Sequence, residues 1–134
     1  PKGRVGVTPE SPTYHYRHSV WMASDSAWPW VTASAVEDVE QVVLRDLKPG
    51  TYTVRLFFAE LDEAEVGDRV QNISLQREVV DAEFDVLAVA TRPMRGIVRT
   101  FQDIVVREDG ALTLGLAAVK GKSLISGLEV IRNP

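Results

Sequence analysis

Between Thr51 and Ile131 the chain alternates apolar and polar residues in short runs with a period of two, broken by turn residues. That period puts successive side chains on opposite faces of an extended backbone, so each run presents one apolar face that a second sheet must cover. Tyr52, Val54, Leu56 and Phe58 share one face of the run 51–60. The preceding Leu47-Lys48-Pro49-Gly50 reads as a turn, which predicts a hairpin between 40–47 and 51–60. Ile73 and Leu75 alternate with Asn72 and Ser74; Val80, Ala82, Phe84 and Val86 alternate with Asp81, Glu83 and Asp85, and Gln76-Arg77-Glu78 joins the two runs. From Ile97 to Arg107 the apolar parity changes between Phe101 and Ile104, the mark of a bulge or a kink. Glu108-Asp109-Gly110 predicts a second hairpin turn, after which Leu112, Leu114 and Leu116 alternate with Thr113 and Gly115. Residues 124–131 supply a final strand. At Ser34-x-x-Glu37, followed by Val39 and Val43, a capping box on a short helix competes, but the Val-rich stretch and the turn after it favour strand. Short antiparallel strands with hardly any helix predict an all-β fold: a two-sheet antiparallel jelly-roll β-sandwich.

Residues 8–34 differ. They hold Tyr14, Tyr16, Trp21, Trp28 and Trp30, five of the ten aromatic residues, with neither period and with Pro9, Pro12 and Pro29 as breaks. A long aromatic-rich N-terminal loop region packed over the sandwich is expected. With 134 residues the chain is read as one domain, 1–134, able to bury a sizeable core. Its start on Pro1 rather than Met points to a piece excised from a larger protein, with neighbouring domains as partners.

Charge and composition remove several function classes. Fifteen Lys and Arg against nineteen Asp and Glu give a net charge of −4, which argues against a nucleic-acid or anionic-membrane binder. No apolar run reaches the ~20 residues of a membrane helix, so membrane insertion is not expected. Without cysteine there is no disulfide, thiolate zinc site or thiol nucleophile.

The run Tyr52-Thr53-Val54-Arg55-Leu56-Phe57-Phe58-Ala59-Glu60, preceded by Lys48-Pro49-Gly50-Thr51, resembles the strand "PGTYTVRLHFAE" of malectin-like domains. Gly67-Asp68-Arg69-Val70, then Ile73-Ser74-Leu75 and residues 79–86, are similar to that family's "GxRVFDVxING…VLKDFDI". Asp109-Gly110-x-Leu112 and 125–130 are similar to "DGxLxI…ISGIEI". The resemblance covers about residues 40–131. It implies a two-sheet jelly roll and non-catalytic carbohydrate binding in an extracytoplasmic setting (periplasmic, cell-surface or secreted). In the animal sugar-binding members a pair of aromatics follows Phe-Ala-Glu, where this chain has Leu61-Asp62-Glu63. The family's acidic ligand residue before the last strand falls near Lys120-Gly121-Lys122, and its Asn-Gly hairpin turn is replaced by Gln76-Arg77.

Sugar recognition needs a flat apolar surface for the ring and polar groups that fix its hydroxyls. Residues 14–30 supply both, and Tyr14, Tyr16, Trp28 and Trp30 with Asp25 are candidate carbohydrate-binding residues; Trp28-Pro29-Trp30 stands out because Pro stiffens it. The bland alternative makes these aromatics a lid on the core. Glu60 shares the inward parity of Phe58 and needs donors, either as a structural carboxylate bonded by loop amides or as a ligand-fixing group. Asp62, with Glu63, Glu65 and Asp68, forms an acidic loop whose spacing lacks a calcium-loop signature. His15 and His18 lack a clear third ligand for zinc. No nucleophile elbow or phosphate loop is present, and no catalytic residue, metal or cofactor is assigned. The expectation is a non-catalytic module that binds oligo- or polysaccharide through loop aromatics and carboxylates; the alternative is a structural or protein-interaction sandwich that has lost the sugar site.

Overall fold

A computed structural model describes residues 37–60, 65–91 and 95–134 in full, with the backbone of four short N-terminal segments, 5–8, 13–16, 23–24 and 34–36. In chain order the strands are β1 (Val5–Thr8), β2 (Thr13–Tyr16), β3 (Ala23–Ser24), β4 (Ser34–Glu37), β5 (Gln41–Leu44), β6 (Gly50–Phe58), β7 (Val70–Leu75) and β8 (Glu78–Phe84). A single-turn helix α1 (Val86–Ala90) follows, then β9 (Arg95–Val106), β10 (Leu112–Lys120), β11 (Leu124–Ile125) and β12 (Gly127–Arg132).

These strands build a five-stranded sheet, β1-β5-β10-β7-β8, and a four-stranded sheet, β12-β6-β9-β3. A small third sheet, β11-β4-β2, accompanies them. The two large sheets form a β-sandwich, as the period-two pattern predicts. Tyr52, Val54, Leu56 and Phe58 of β6 are all buried and meet Ile73 and Leu75 of β7 and Leu112, Leu114 and Leu116 of β10 in one core.

Both predicted hairpins are corrected. β5 pairs with β1 and β10, whereas β6 pairs with β9 and β12, so 45–50 is an arch between sheets. Both edges of β5 are already occupied, which leaves β6 no place beside it. The arch is pinned by the Tyr52 hydroxyl, which donates to Lys48 O at 2.7 Å. Likewise the Glu108-Asp109-Gly110 turn leads from β9 in one sheet to β10 in the other. Leu47 N donates to Gly110 O at 3.0 Å, tying the two crossovers together. Gly110 has φ +67, and a Cβ there would stand 2.9 Å from Leu47 O, so the crossing needs glycine.

The third turn is a true hairpin. Gln76 and Arg77 join β7 to β8 with φ of +53 and +69, the two left-handed residues of a type I′ turn. That conformation disfavours Gln and Arg, and Gln76 offsets the cost with side-chain bonds: Nε2 donates to Val105 O and Ala111 O, and Oε1 accepts from Thr113 N. The expected bulge in β9 is present, with Asp103 at φ +58 opposite a register shift between Tyr52 and Val54. In β8 the alternation fails. Two register irregularities interrupt it; Phe84 is buried and Ala82 is exposed. Val86, expected inward on the same strand, begins α1, because Asp85 Oδ1 caps it by accepting from Leu87 N and Ala88 N. Ser34–Glu37 is strand, not helix. Within the expected N-terminal loop region, β2 and β3 are strands, Thr8 ends β1 and Ser34 begins β4; 9–12, 17–22 and 25–33 lie outside the described residues.

Candidate functional site

Glu60 continues the inward parity of β6 two residues past Phe58 and is 1% exposed. A carboxylate so placed must be bonded or it would oppose folding. Arg69 grips it in a fork, Nε to Oε2 at 2.7 Å and Nη2 to Oε1 at 3.1 Å. The same Nη2 lies 2.6 Å from Glu37 Oε2, and Nη1 donates to Lys122 O at 2.8 Å. One guanidinium thus joins the end of β4, the end of β6, the start of β7 and the turn before β11. Desolvation by burial pulls the Arg69 pKa down, but the hydrogen bonds it donates to Glu60 and Glu37 and their charges outweigh it and hold the pKa above the ordinary arginine value. A raised cation pKa means a contribution kept at all lower pH, so the cluster stays ionised on the guanidinium side through the physiological range.

Around this node the backbone is locked by buried polar groups. Gln71 is 1% exposed; its Nε2 donates to Leu124 O and its Oε1 accepts from Leu124 N, both at 2.9 Å. Ser123 Oγ donates to Val39 O, and Asp38 N donates to Ser123 O at 3.0 Å. Gly121, at φ +71, brings the turn so close that a Cβ would stand 2.5 Å from Asp68 O. In the acidic loop, Asp68 Oδ2 accepts from Glu65 N at 3.0 Å, and Gly67 N donates to Asp85 Oδ2 at 2.6 Å. The Asp68 carboxylate is therefore turned onto its own loop. No group of three potential ligands for a metal ion is present among the described residues.

The predicted site residues fall into three groups. Glu60 is seen in full. Tyr14 and Tyr16 are placed by backbone only: in β2 they pair with Val36 and Ser34, beside the Thr13 and Glu37 pair that leads to Arg69. Trp28, Trp30, Asp25 and Asp62 lie outside the described residues, though Ser24, the residue before Asp25, pairs with Gly96 one step from the Phe58 and Ile97 pair. The strands that carry or flank the N-terminal candidates therefore arrive at the end of the sandwich where β6 finishes.

Sequence reasoning missed Arg69, Glu37 and Gln71 as parts of the site. A signal existed: residues 69, 71, 73 and 75 share the parity of the buried Ile73 and Leu75, so Arg69 and Gln71 were polar groups on a core-facing register and needed partners.

Ser126, at the break between β11 and β12, has the one buried side-chain polar atom without a hydrogen-bond partner among the described residues, its Oγ. An unpaired buried hydroxyl costs about 1–3 kcal/mol, so Ser126→Ala is expected to stabilise by roughly 1 kcal/mol. Thermal unfolding should show the midpoint rise by about 3–5 °C; a fall would mean that the hydroxyl is bonded in solution.

The pattern of the malectin domain family matches residues 41–134. No curated protein sequence matches the chain. Among solved structures, a Bacteroides uniformis beta-glucuronidase is similar over 100% of this chain and 15% of its own, with 13% identity and a TM-score of 0.82. The ANX1 ectodomain from Arabidopsis thaliana is similar over 94% of this chain and 40% of its own, with 12% identity and a TM-score of 0.79. A complex of the plant peptide RALF23 with FER and LLG2 contains a chain similar over 90% of this one and 39% of its own, at 18% identity and a TM-score of 0.77. At these identities the likeness is one of fold. The chain spans about 15% of the glucuronidase and about 40% of the plant ectodomain.

Proposed function

The chain belongs to the malectin domain family, and on that premise we propose that it is a non-catalytic carbohydrate-binding module, one domain (1–134) of a larger extracytoplasmic protein. The observation that carries this reading is the cluster of Glu37, Arg69 and Glu60, which draws the ends of β4 and β6 and the turn before β11 to one rim, where β2 and β3 also arrive. In this reading Trp28 and Trp30 are the residues that stack on sugar faces, and Tyr14 and Tyr16 also take part in binding. Asp25 and Asp62 hold hydroxyls, and Glu60, fixed by Arg69, sets the floor. Aromatic platforms lose little conformational freedom on binding, which suits a passive site of modest affinity. In support of a placement outside the cytoplasm, the ANX1 relative is an ectodomain.

An array of glucans, mannans and uronic-acid polymers, read with tryptophan fluorescence, tests the reading. Trp28→Ala and Trp30→Ala are each expected to weaken binding of the best glycan about tenfold, as loss of ~1.4 kcal/mol of stacking would. Unchanged binding in both folded variants removes the aromatics from the site. A second reading, a protein-interaction domain without a sugar site, is favoured by Leu61-Asp62-Glu63 standing where sugar-binding members carry two aromatics. A related fold also occurs in the complex of FER with LLG2 and RALF23. Silence across the array with a folded protein supports that second reading.

A further inference from the structure

At the end of the sandwich opposite Glu60, a cleft of about 770 Å³ opens between the β7–β8 turn and the β9–β10 crossover. Its rim carries Arg77, Glu78, Asp103 and Arg107, all exposed. None of these four side chains makes a hydrogen bond or ion pair among the described residues, although two are cations and two are carboxylates lining one concavity. The wall behind them is mixed, with Val80 and Ile104 beside Gln41 and Thr113. The floor is rigid: the Gln76 amide clamps β10 to the end of β9 through Val105 O, Ala111 O and Thr113 N. Arg77 and Asp103 both hold left-handed backbone conformations, φ +69 and +58, that non-glycine residues seldom adopt.

We propose that this cleft is a second ligand site, and that its ligand is a neutral oligosaccharide. The volume falls within the range of small-ligand sites. A sugar hydroxyl both donates and accepts, so neighbouring hydroxyls match a rim that offers guanidinium donors beside carboxylate acceptors. A polyanion is disfavoured, because Asp109 also lines the cleft and sets three carboxylates against two guanidinium groups. A protein partner is disfavoured because charged side chains, which are depleted at the centre of protein interfaces, dominate this rim. With the site proposed at the Glu60 end, the module would bind glycan at both ends and bridge two chains or two segments of one. The second site stands on its own lining residues and does not depend on the first.

Titration of 15N-labelled protein with cellohexaose, laminarihexaose, maltohexaose and mannohexaose tests it. At least one sugar should shift the amides of 76–78 and 103–109 saturably. Arg77→Gln with Arg107→Gln should weaken that binding at least tenfold, while Trp28→Ala with Trp30→Ala should leave it in place. Absence of saturable shifts at these amides with all four sugars overturns the proposal, as does equal binding by the folded arginine variant. Shifts there with a hexapeptide of alternating Lys and Glu, and none with the sugars, overturn it in favour of a protein partner. Failure of the Glu60-end site is read separately, from the tryptophan indole signals.

Discussion

Arg69→Ala is expected to destabilise the domain by about 3–5 kcal/mol, because it removes the guanidinium that two buried carboxylates share. The side chains of Glu37 and Glu60 are 8% and 2% exposed, so water does not take over the role of the guanidinium. At this chain length each kcal/mol moves the thermal midpoint by roughly 3–5 °C, so the expected fall is about 10–20 °C. Arg69→Lys keeps a charge but loses the fork that spans both Glu60 oxygens and also reaches Glu37 and Lys122 O, and should recover only part of the loss. Adding Glu37→Gln and Glu60→Gln to Arg69→Ala removes the two carboxylate charges and should restore stability relative to the single variant. Calorimetry of the four proteins decides the matter. A loss below about 1 kcal/mol in the first variant would place the cluster among screened surface pairs and remove its role as the floor of the rim.

Phe58→Ala is expected to cost about 3–5 kcal/mol by opening a cavity between the sheets. Phe58 is 0% exposed, and its ring centroid lies 4.8 Å from that of Phe84, tilted by 59°. The pair links β6 in the four-stranded sheet to β8 in the five-stranded one. Phe84 in turn lies under the Arg99 guanidinium, 5.2 Å from its ring centroid, and Arg99 Nε donates to Asp81 at 3.1 Å. Deleting the Phe58 ring therefore loosens a contact that also orients an inter-sheet ion pair, and packed neighbours this close relax only partly. Phe58→Leu keeps most of the volume and should cost well under half as much. Urea unfolding should show the midpoint fall with an unchanged slope; a slope that falls as well would report a loosened native state.

The inward face of almost every major strand was readable along the chain. Tyr52 to Phe58 and Leu112 to Leu116 are buried as the period-two pattern requires, because parity depends only on residues two apart. The bulge near Asp103 was readable for the same reason, as a parity change within one strand. Helix α1 was not, since five residues carry no helical period and its one signal is the Asp85 cap. Of the candidate site, Glu60 was found by parity as an inward carboxylate in need of donors, but Arg69 was not named among them.

What the sequence determined by itself is the class of fold, the apolar face of most strands and the places where the chain turns. All of these follow from steric and hydrophobic preferences among near neighbours. The tertiary structure alone decided which sheet each strand joins: 45–50 and 107–111 turn the chain as expected, yet both carry it across the sandwich, because the edges of β5 are taken by β1 and β10 and those of β9 by β6 and β3. It alone decided the polar node as well, where Arg69 meets Glu37 across 32 positions and Lys122 across 53. A turn residue specifies a reversal and a buried charge specifies that a partner is needed; the identity of the partner is settled by the packing of distant segments, which no local pattern records.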